Sequence, residues 1–275
     1  SLSLIGLVHS NSGNHSEALS CSLQALDCYR GTGHRIDEGN MLNTIASIYH
    51  ELGDTDRAIV NYEAAMNANA QLNRPDFDAI TLANVASLRA ERGEFDTAIE
   101  IGERALALCR MHAVGFLPEV LAALAGAYGG RGEFDQARTL LNAALAMLDA
   151  SSVSFDDAVR SSVELAFGRV ELSAKNDAEA LSHFCRALGL AEVIKAKPIE
   201  FSAHCALADL YKAMGQFEEA VYHLEKKFAI NQSIFNEGTD IRIKTLQVAH
   251  EAEESRQQAE ILRLRTSELE GLVRG

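Results

Sequence analysis

The feature that most constrains the fold is one helix-turn-helix pattern, clearest in residues 121–144, that recurs along most of the chain. The first helix carries an aliphatic, a small and an aromatic residue, and a turn glycine follows it: Leu124, Ala125, Tyr128 and Gly132. The second helix carries small and aliphatic residues at helical spacing: Ala137, Leu141 and Ala144. Ala125 and Ala137 would lie where the two helices approach most closely. A single hairpin of this kind cannot bury its apolar face alone, so it has to stack on copies of itself.

The same frame occurs six times. An alanine marks each second helix, in steps of 40, 40, 39, 43 and 40 residues: Ala18, Ala58, Ala98, Ala137, Ala180 and Ala220. A glycine precedes five of them at the turn: Gly13, Gly53, Gly93, Gly132 and Gly215. Lys175 stands at the turn of the remaining copy. Chance does not place six copies in one frame, so the pattern predicts an all-α repeat protein.

On these residues, positions 1 to about 230 resemble tetratricopeptide-repeat (TPR) proteins. The resemblance implies an all-α, right-handed solenoid of six helical hairpins over residues 1–235, with a capping last helix. A long C-terminal coiled-coil helix would follow over residues 236–275. The repeat is longer than the usual ~34 residues, which is typical of the long-helix subgroup in bacterial peptide-sensing regulators and kinesin light chains.

The bulk composition narrows the possible partners. A net charge of −14 argues against duplex nucleic acid and against an anionic membrane surface. No apolar run is long enough to span a bilayer, and no signal peptide is present. The five cysteines include no C-x-x-C pair, which favours reduced side chains. We therefore expect a cytoplasmic protein, and because Ser1 falls inside a repeat, a fragment of a longer one.

Catalytic motifs are missing from the sequence. It contains no phosphate-loop, zinc-protease or serine-hydrolase signature. His183 with Cys185, and His204 with Cys205, are close in sequence, but their spacing does not suit a metal-binding helix face. We expect these side chains to pack at repeat interfaces. The sequence thus predicts no enzymatic activity for this fragment, no cofactor and no metal site.

The resemblance places a ligand site in the concave groove, because the first helix of each tetratricopeptide repeat lines it. The candidate groove residues are Asn40, Asn43, Thr44, Ser47, His50, Asn84, Ser87, Arg169 and Asp209. Small side chains at Ala122, Ala123 and Gly126 would leave room for an inserted side chain. An asparagine can hold a peptide backbone, since it both donates and accepts, and Arg169 can meet a carboxylate. The alternative is that these positions are merely solvated.

After the sixth repeat, apolar and small residues alternate four and three apart over four heptads. The predicted dimer seam consists of Ile241, Val248, Ala252, Ala259, Leu262, Leu269 and Val273. The pattern predicts a parallel two-stranded coiled coil that makes the protein a homodimer. The alternative is a long solvated helix folded back on the solenoid.

The same tail resembles the linker of bacterial proteins in which tetratricopeptide repeats precede an output domain, commonly a diguanylate cyclase. The matching segments are residues 235–237, 246–248 and 259–265. The resemblance implies a sensory module in c-di-GMP signalling. A protein or peptide ligand in the groove would change solenoid curvature, and the shared helix would carry that change to the output domain. A free-standing interaction scaffold and a peptide-pheromone receptor are the alternatives, and the activity of the full-length protein stays open.

Overall fold

The structure is a computed structural model that describes residues 15–70, 72–112, 115–150 and 157–232. These residues form eleven α-helices joined by short turns, and none of them lies in a strand. The helices are α1 (His15–Thr32), α2 (Arg35–Glu51), α3 (Thr55–Asn69), α4 (Pro75–Glu91), α5 (Phe95–His112), α6 (Leu117–Arg131), α7 (Phe134–Ala150), α8 (Asp157–Ser173), α9 (Asp177–Ile194), α10 (Lys197–Ala213) and α11 (217–232). The predicted all-helical solenoid is confirmed over this part of the chain.

The helices pair into hairpins that stack in chain order. Helices α2 and α3, α4 and α5, α6 and α7, and α8 and α9 pack as partners, and side-chain contacts join α10 to α11. Each second helix also packs on the first helix of the next hairpin, as α5 does on α6 and α7 on α8. Helix α1 is the second helix of a first hairpin. Its predicted partner falls in residues 1–14, outside the described ranges.

Small residues set the spacing between helices. Ala125 on α6 and Ala137 on α7 are both completely buried, as the repeat pattern predicts. Gly102 occupies the position that Tyr62 and Phe184 hold in two other repeats, and Leu124 of the next hairpin fills the space beside it. A Cβ atom on Gly102 would lie only 2.8 Å from Cδ1 of Leu124. The missing side chain therefore lets α5 and α6 interlock.

The turns within the hairpins depend on a left-handed residue. Gly132 has φ 93° and ends α6, with its N–H bonded to the carbonyl of Gly129 and the next N–H bonded to that of Tyr128. This is the usual helix ending that glycine favours, because an L side chain is strained there. Lys175 adopts the same region, with φ 63°, in the turn where the sequence lacks glycine. The repeat geometry thus overrides the local preference of that residue.

A buried ion pair ties two neighbouring hairpins together. Glu171 on α8 is 4% exposed and accepts hydrogen bonds from Nε and Nη2 of Arg138 on α7, at 2.7 and 2.9 Å. Asn176 donates a further bond to it at 2.6 Å. The bond from Arg138 lowers the pKa of the Glu171 carboxyl, and that effect outweighs burial.

Two further observations bound the fold. None of the described helices is both long and apolar enough to cross a membrane. Residues 236–275, with the predicted seam from Ile241 to Val273, lie outside the described ranges. The domain boundary at residue 235, the coiled coil and the dimer therefore remain predictions from sequence.

Candidate functional site

An open groove of about 820 Å³ crosses the first helices of five hairpins. We call it the concave groove. It is lined by residues of α2, α4, α6, α8 and α10, together with Leu52, Gly53 and Thr55 at the turn into α3 and Asn231 of α11. Its path is diagonal: it starts at His50, near the end of α2, and finishes at Pro198 and Phe201, near the start of α10. Between these ends the groove follows nearly the whole length of α6, from Glu119 to Gly130, and of α8, from Val159 to Ser173.

The floor of the concave groove has almost no side chains. Ala122, Ala123 and Gly126 of α6 form its centre, and Ala166 of α8 continues it. A Cβ atom built on Gly126 would meet no heavy atom within 4 Å, so this position opens directly onto the groove. A ligand backbone can therefore come close to the backbone of α6.

One edge of the groove is charged. His50 of α2 lies 3.3 Å from a carboxylate oxygen of Glu91 on α4. Burial raises the pKa of Glu91, but the hydrogen bond with His50 and the charges of His50 and Arg169 outweigh it, so the pKa lies below its ordinary value. Arg169 belongs to α8 and therefore acts on Glu91 across the glycine-rich end of α6.

The other edge is apolar. Ile80 of α4, Val159 of α8, and Ile199 and Phe201 of α10 line it, and all four are half-buried. The Nζ atom of Lys227 lies 5.8 Å from the centre of the Phe201 ring. The groove therefore offers an apolar wall, a floor of small residues and a charged wall to one ligand.

Four of the predicted groove residues line the concave groove: His50, Asn84, Ser87 and Arg169. Asn84 and Ser87 are half-buried on α4, and among the described residues no hydrogen-bond partner engages the amide of Asn84. The small residues expected at Ala122, Ala123 and Gly126 are there too. Their role in binding a ligand remains a prediction.

The other five predicted residues lie outside the lining. Oδ1 of Asn40 accepts a bond from Arg74 at 2.9 Å, and Oδ1 of Asn43 accepts one from Thr81 at 3.2 Å, so both amides bridge α2 to α4. The hydroxyl of Thr44 donates a hydrogen bond to the backbone carbonyl of Asn40 on the same helix. Ser47 is half-buried on α2, and Asp209 is exposed on α10. The diagonal path explains this, because it misses the start of α2 and the end of α10.

Sequence reasoning missed residues that extend the same helix faces by one turn. Glu91 follows Ser87 by four positions, and Ser173 follows Arg169 by four. Ser162 precedes Arg169 on the same face of α8. Extending each predicted face along its helix would have found these residues. The apolar residues at the start of α10 carry no such signal, since their exposure depends on the twist of the stack.

The two histidines predicted to pack at repeat interfaces instead contact the partner helix of their own hairpin, and Cys185 is exposed. His183 of α9 stacks on the Phe167 ring at a centroid distance of 4.1 Å, and its Nδ1 lies 2.6 Å from an oxygen of Glu164. His204 of α10 contacts His223 of α11. Within the described ranges, no group of three or more His, Cys, Asp or Glu side chains is arranged to hold a metal ion.

Family models described as "Tetratricopeptide repeat" match four segments of the chain. One model matches residues 1–71 and 37–111, a second matches residues 118–143, and a third matches residues 201–232. Their positions agree with the hairpins seen in the structure. No curated protein matches the chain.

Solved structures share the fold at low sequence identity. A Rap protein complexed with competence and sporulation factor has a TM-score of 0.67 at 17% identity, covering 86% of this chain and 64% of that one. The apo form of RapI has a TM-score of 0.63 at 14% identity, covering 86% and 83%. A thermophilic TPR protein of Thermus thermophilus has a TM-score of 0.53 at 20% identity, covering 76% and 99%. At these identities the likeness shows the fold alone.

Proposed function

Since this chain is built of tetratricopeptide repeats, we propose that it is a protein-interaction module whose concave groove binds a peptide segment of a partner. The observation that carries the proposal is the open floor at Gly126, flanked by a polar and an apolar wall. A volume of about 820 Å³ falls within the range of ligand sites, roughly 300–1,000 Å³. A solvated surface with no ligand needs no such arrangement.

The chemistry of the groove suits a polypeptide. The amide of Asn84 can donate to a carbonyl and accept from an N–H, so it can pair with a peptide backbone of any sequence. Gly126 and the neighbouring alanines let that backbone lie against α6. One structure of the same fold, the Rap protein, was solved in complex with competence and sporulation factor. This supports a ligand-bound state for the present chain as well.

The test uses a substitution that fills the floor. Gly126→Leu adds a side chain where a Cβ meets nothing within 4 Å, so the fold should persist. Peptides are first selected from a random display library on the unmodified chain. We expect them to bind Gly126→Leu about tenfold more weakly or worse, a loss of ~1.4 kcal/mol.

Gly189→Leu is the matched control. It lies on an exposed position of α9 outside the groove, and a Cβ there also meets nothing within 4 Å. It should leave peptide affinity unchanged, and thermal unfolding should show both variants folded. Selected peptides that bind Gly126→Leu as tightly as the parent chain would show that the groove is not the binding site.

The proposal extends to signal transmission through the C-terminal seam to an output domain, most plainly a diguanylate cyclase. Its support is the heptad pattern and the resemblance of the linker, both from sequence. Deleting residues 241–275 tests it by sedimentation. If the deletion converts a dimer to a monomer, the predicted seam is supported. If the oligomeric state stays the same, the predicted seam is wrong.

A further inference from the structure

Arg169 is an unusual member of the concave groove. Among the described residues that line the groove it is the sole arginine or lysine, and it is exposed. Its guanidinium makes no hydrogen bond or ion pair with the described residues. By contrast, the arginines beside the groove are engaged: Arg131 is paired with Asp96, and Arg89 with Glu94. Arg169 is therefore a cation left available to a ligand.

The position of Arg169 directs it along the groove rather than away from it. The charge of Arg169 contributes to lowering the pKa of Glu91 on α4. Burial raises the pKa of the Cys205 thiol on α10, and the charge of Arg169 opposes that rise. Gly126 of α6 is exposed, and a Cβ there would meet no heavy atom within 4 Å, so no side chain at this position screens the space. Arg169 thus sits inside the groove, with lining helices on both sides of α8.

The apolar wall lies at the other end of the same helix. Val159 is on the first turn of α8, beside Ile199 and Phe201 of α10. A ligand that crosses α8 along the groove meets the apolar wall and Arg169 on one surface. Val159 and Arg169 are ten residues apart on α8, about 15 Å along its axis. The simplest match is therefore an extended peptide with an acidic side chain about four residues from a large apolar one.

We propose that the concave groove selects extended peptide segments in which an aspartate or glutamate side chain binds Arg169 while an apolar side chain about four residues away packs on Ile199 and Phe201. This inference rests on the proposed function and names the ligand class. Arginine suits a carboxylate because its planar donors pair with both oxygens. The groove runs on beyond α8 to α10, so a peptide chain passes Arg169 rather than ending there.

Charge complementarity favours a single carboxylate over other charged groups. The chain has a net charge of −14, and Glu91 and Glu119 also line the groove, so a doubly charged phosphate meets stronger repulsion. A cationic ligand would need an available acid on the charged wall, where Glu91 is already held by His50. One carboxylate neutralises Arg169 and leaves that pair intact.

The experiment uses three arrays of synthetic peptides. In the first, each peptide carries Asp or Glu about four residues from Leu or Phe and has an amidated C-terminus. The second is its isosteric copy with Asn or Gln, and the third is that neutral copy with a free C-terminal carboxylate. We expect the unmodified chain to bind the acidic array about tenfold more tightly than either neutral array. Equal binding of the free-carboxylate array would overturn the assignment to an acidic side chain.

Two variants assign the preference to Arg169. Arg169→Gln should bind acidic and neutral arrays equally, while its binding of the neutral array stays within about twofold of the parent. Arg104→Gln is the control, because Arg104 is exposed on α5 outside the groove, and it should keep the preference. If Arg169→Gln keeps the preference while Gly126→Leu loses binding, the inference is wrong and the proposed function stands. If Gly126→Leu loses nothing, both are wrong.

Discussion

His204 and His223 face each other inside the last hairpin, with their Nδ1 atoms 2.8 Å apart. Both side chains are buried, and Tyr211 stacks on His223 at a centroid distance of 5.5 Å. At this distance one imidazole donates its Nδ1–H and the other accepts, so a single proton lies between the two nitrogens. A second proton would set two N–H groups against each other. The contact between α10 and α11 therefore excludes a pair in which both histidines are charged.

This pair predicts that acid weakens the last hairpin. Burial, then the charges of His223 and Lys226, lower the pKa of His204 from 6.5 to about 4. The unfolded chain therefore binds more protons than the folded chain between those values. The stabilisation is fully present above about pH 6.5 and is lost as the pH falls toward 4. Amide hydrogen exchange of α10 and α11 as a function of pH measures it.

His204→Gln keeps a hydrogen-bonding side chain but does not titrate, so exchange in α11 should depend less on pH in this window. His112→Gln, on the exposed end of α5, should behave like the parent. The buried carboxyls Glu164 and Glu171, whose pKa values are lowered, add their own loss only at lower pH. Equal pH dependence in His204→Gln and the parent would contradict the prediction.

Arg138→Met should destabilise the chain strongly. It leaves the buried Glu171 carboxylate without its guanidinium partner, and such losses cost about 3–5 kcal/mol. The bond from Asn176 remains, so we expect the lower end of that range. Urea unfolding followed by circular dichroism measures the change in midpoint.

Two further variants separate the lost pair from lost packing. Glu171→Leu combined with Arg138→Met should recover most of the stability, because no unpaired charge remains. Asp149→Asn breaks the ion pair with Arg160. Because the Asp149 side chain is 67% exposed, stability should change by less than about 1 kcal/mol. A double variant no more stable than Arg138→Met alone would show that the charge was not the cause.

Lys175→Gly should stabilise the chain by about 0.5–1 kcal/mol. The left-handed backbone costs an L residue ~1 kcal/mol or more, and the greater freedom of glycine in the unfolded state offsets part of the gain. The same hydrogen bonds close the turns at Lys175 and at Gly132. Gly132→Ala should therefore change the urea midpoint in the opposite direction. A destabilised Lys175→Gly would mean that the lysine side chain contributes a contact of its own.

The fold followed from the sequence because its determinants are local and repeated. The buried alanines at 125 and 137, and the left-handed turn at Gly132, are each required by the contact of two helices close in sequence. Even the exception was visible, since Lys175 stands in frame where the turn residue must be. A repeated frame fixes which face each helix buries.

The site was only half predictable because it depends on the twist accumulated over many repeats. The frame identifies the free face of α2 but not which turn of that face meets the groove. The frame therefore predicts Asn43 as a groove residue, although its amide oxygen accepts a hydrogen bond from Thr81. It does not predict Glu91 and Phe201, which line the groove. Arg169 was found because it lies on the central part of the diagonal path. Small rotations between hairpins are set by packing across repeats, which no single repeat encodes.

The polar bridges between α2 and α4 give the solenoid unequal stiffness along its length. The backbones of α4 and α6, and those of α6 and α8, pack closely. Helices α2 and α4 meet through side chains: Asn40 reaches Arg74, Asn43 reaches Thr81, and apolar residues of both helices share one core cluster. Hydrogen-bonded side chains can exchange partners with water, while interlocked apolar side chains resist displacement. A load that spreads the concave groove would therefore bend the joint between α2 and α4 first. The hairpin of α2 and α3 would therefore move more readily than α6 and α8 when the groove is spread.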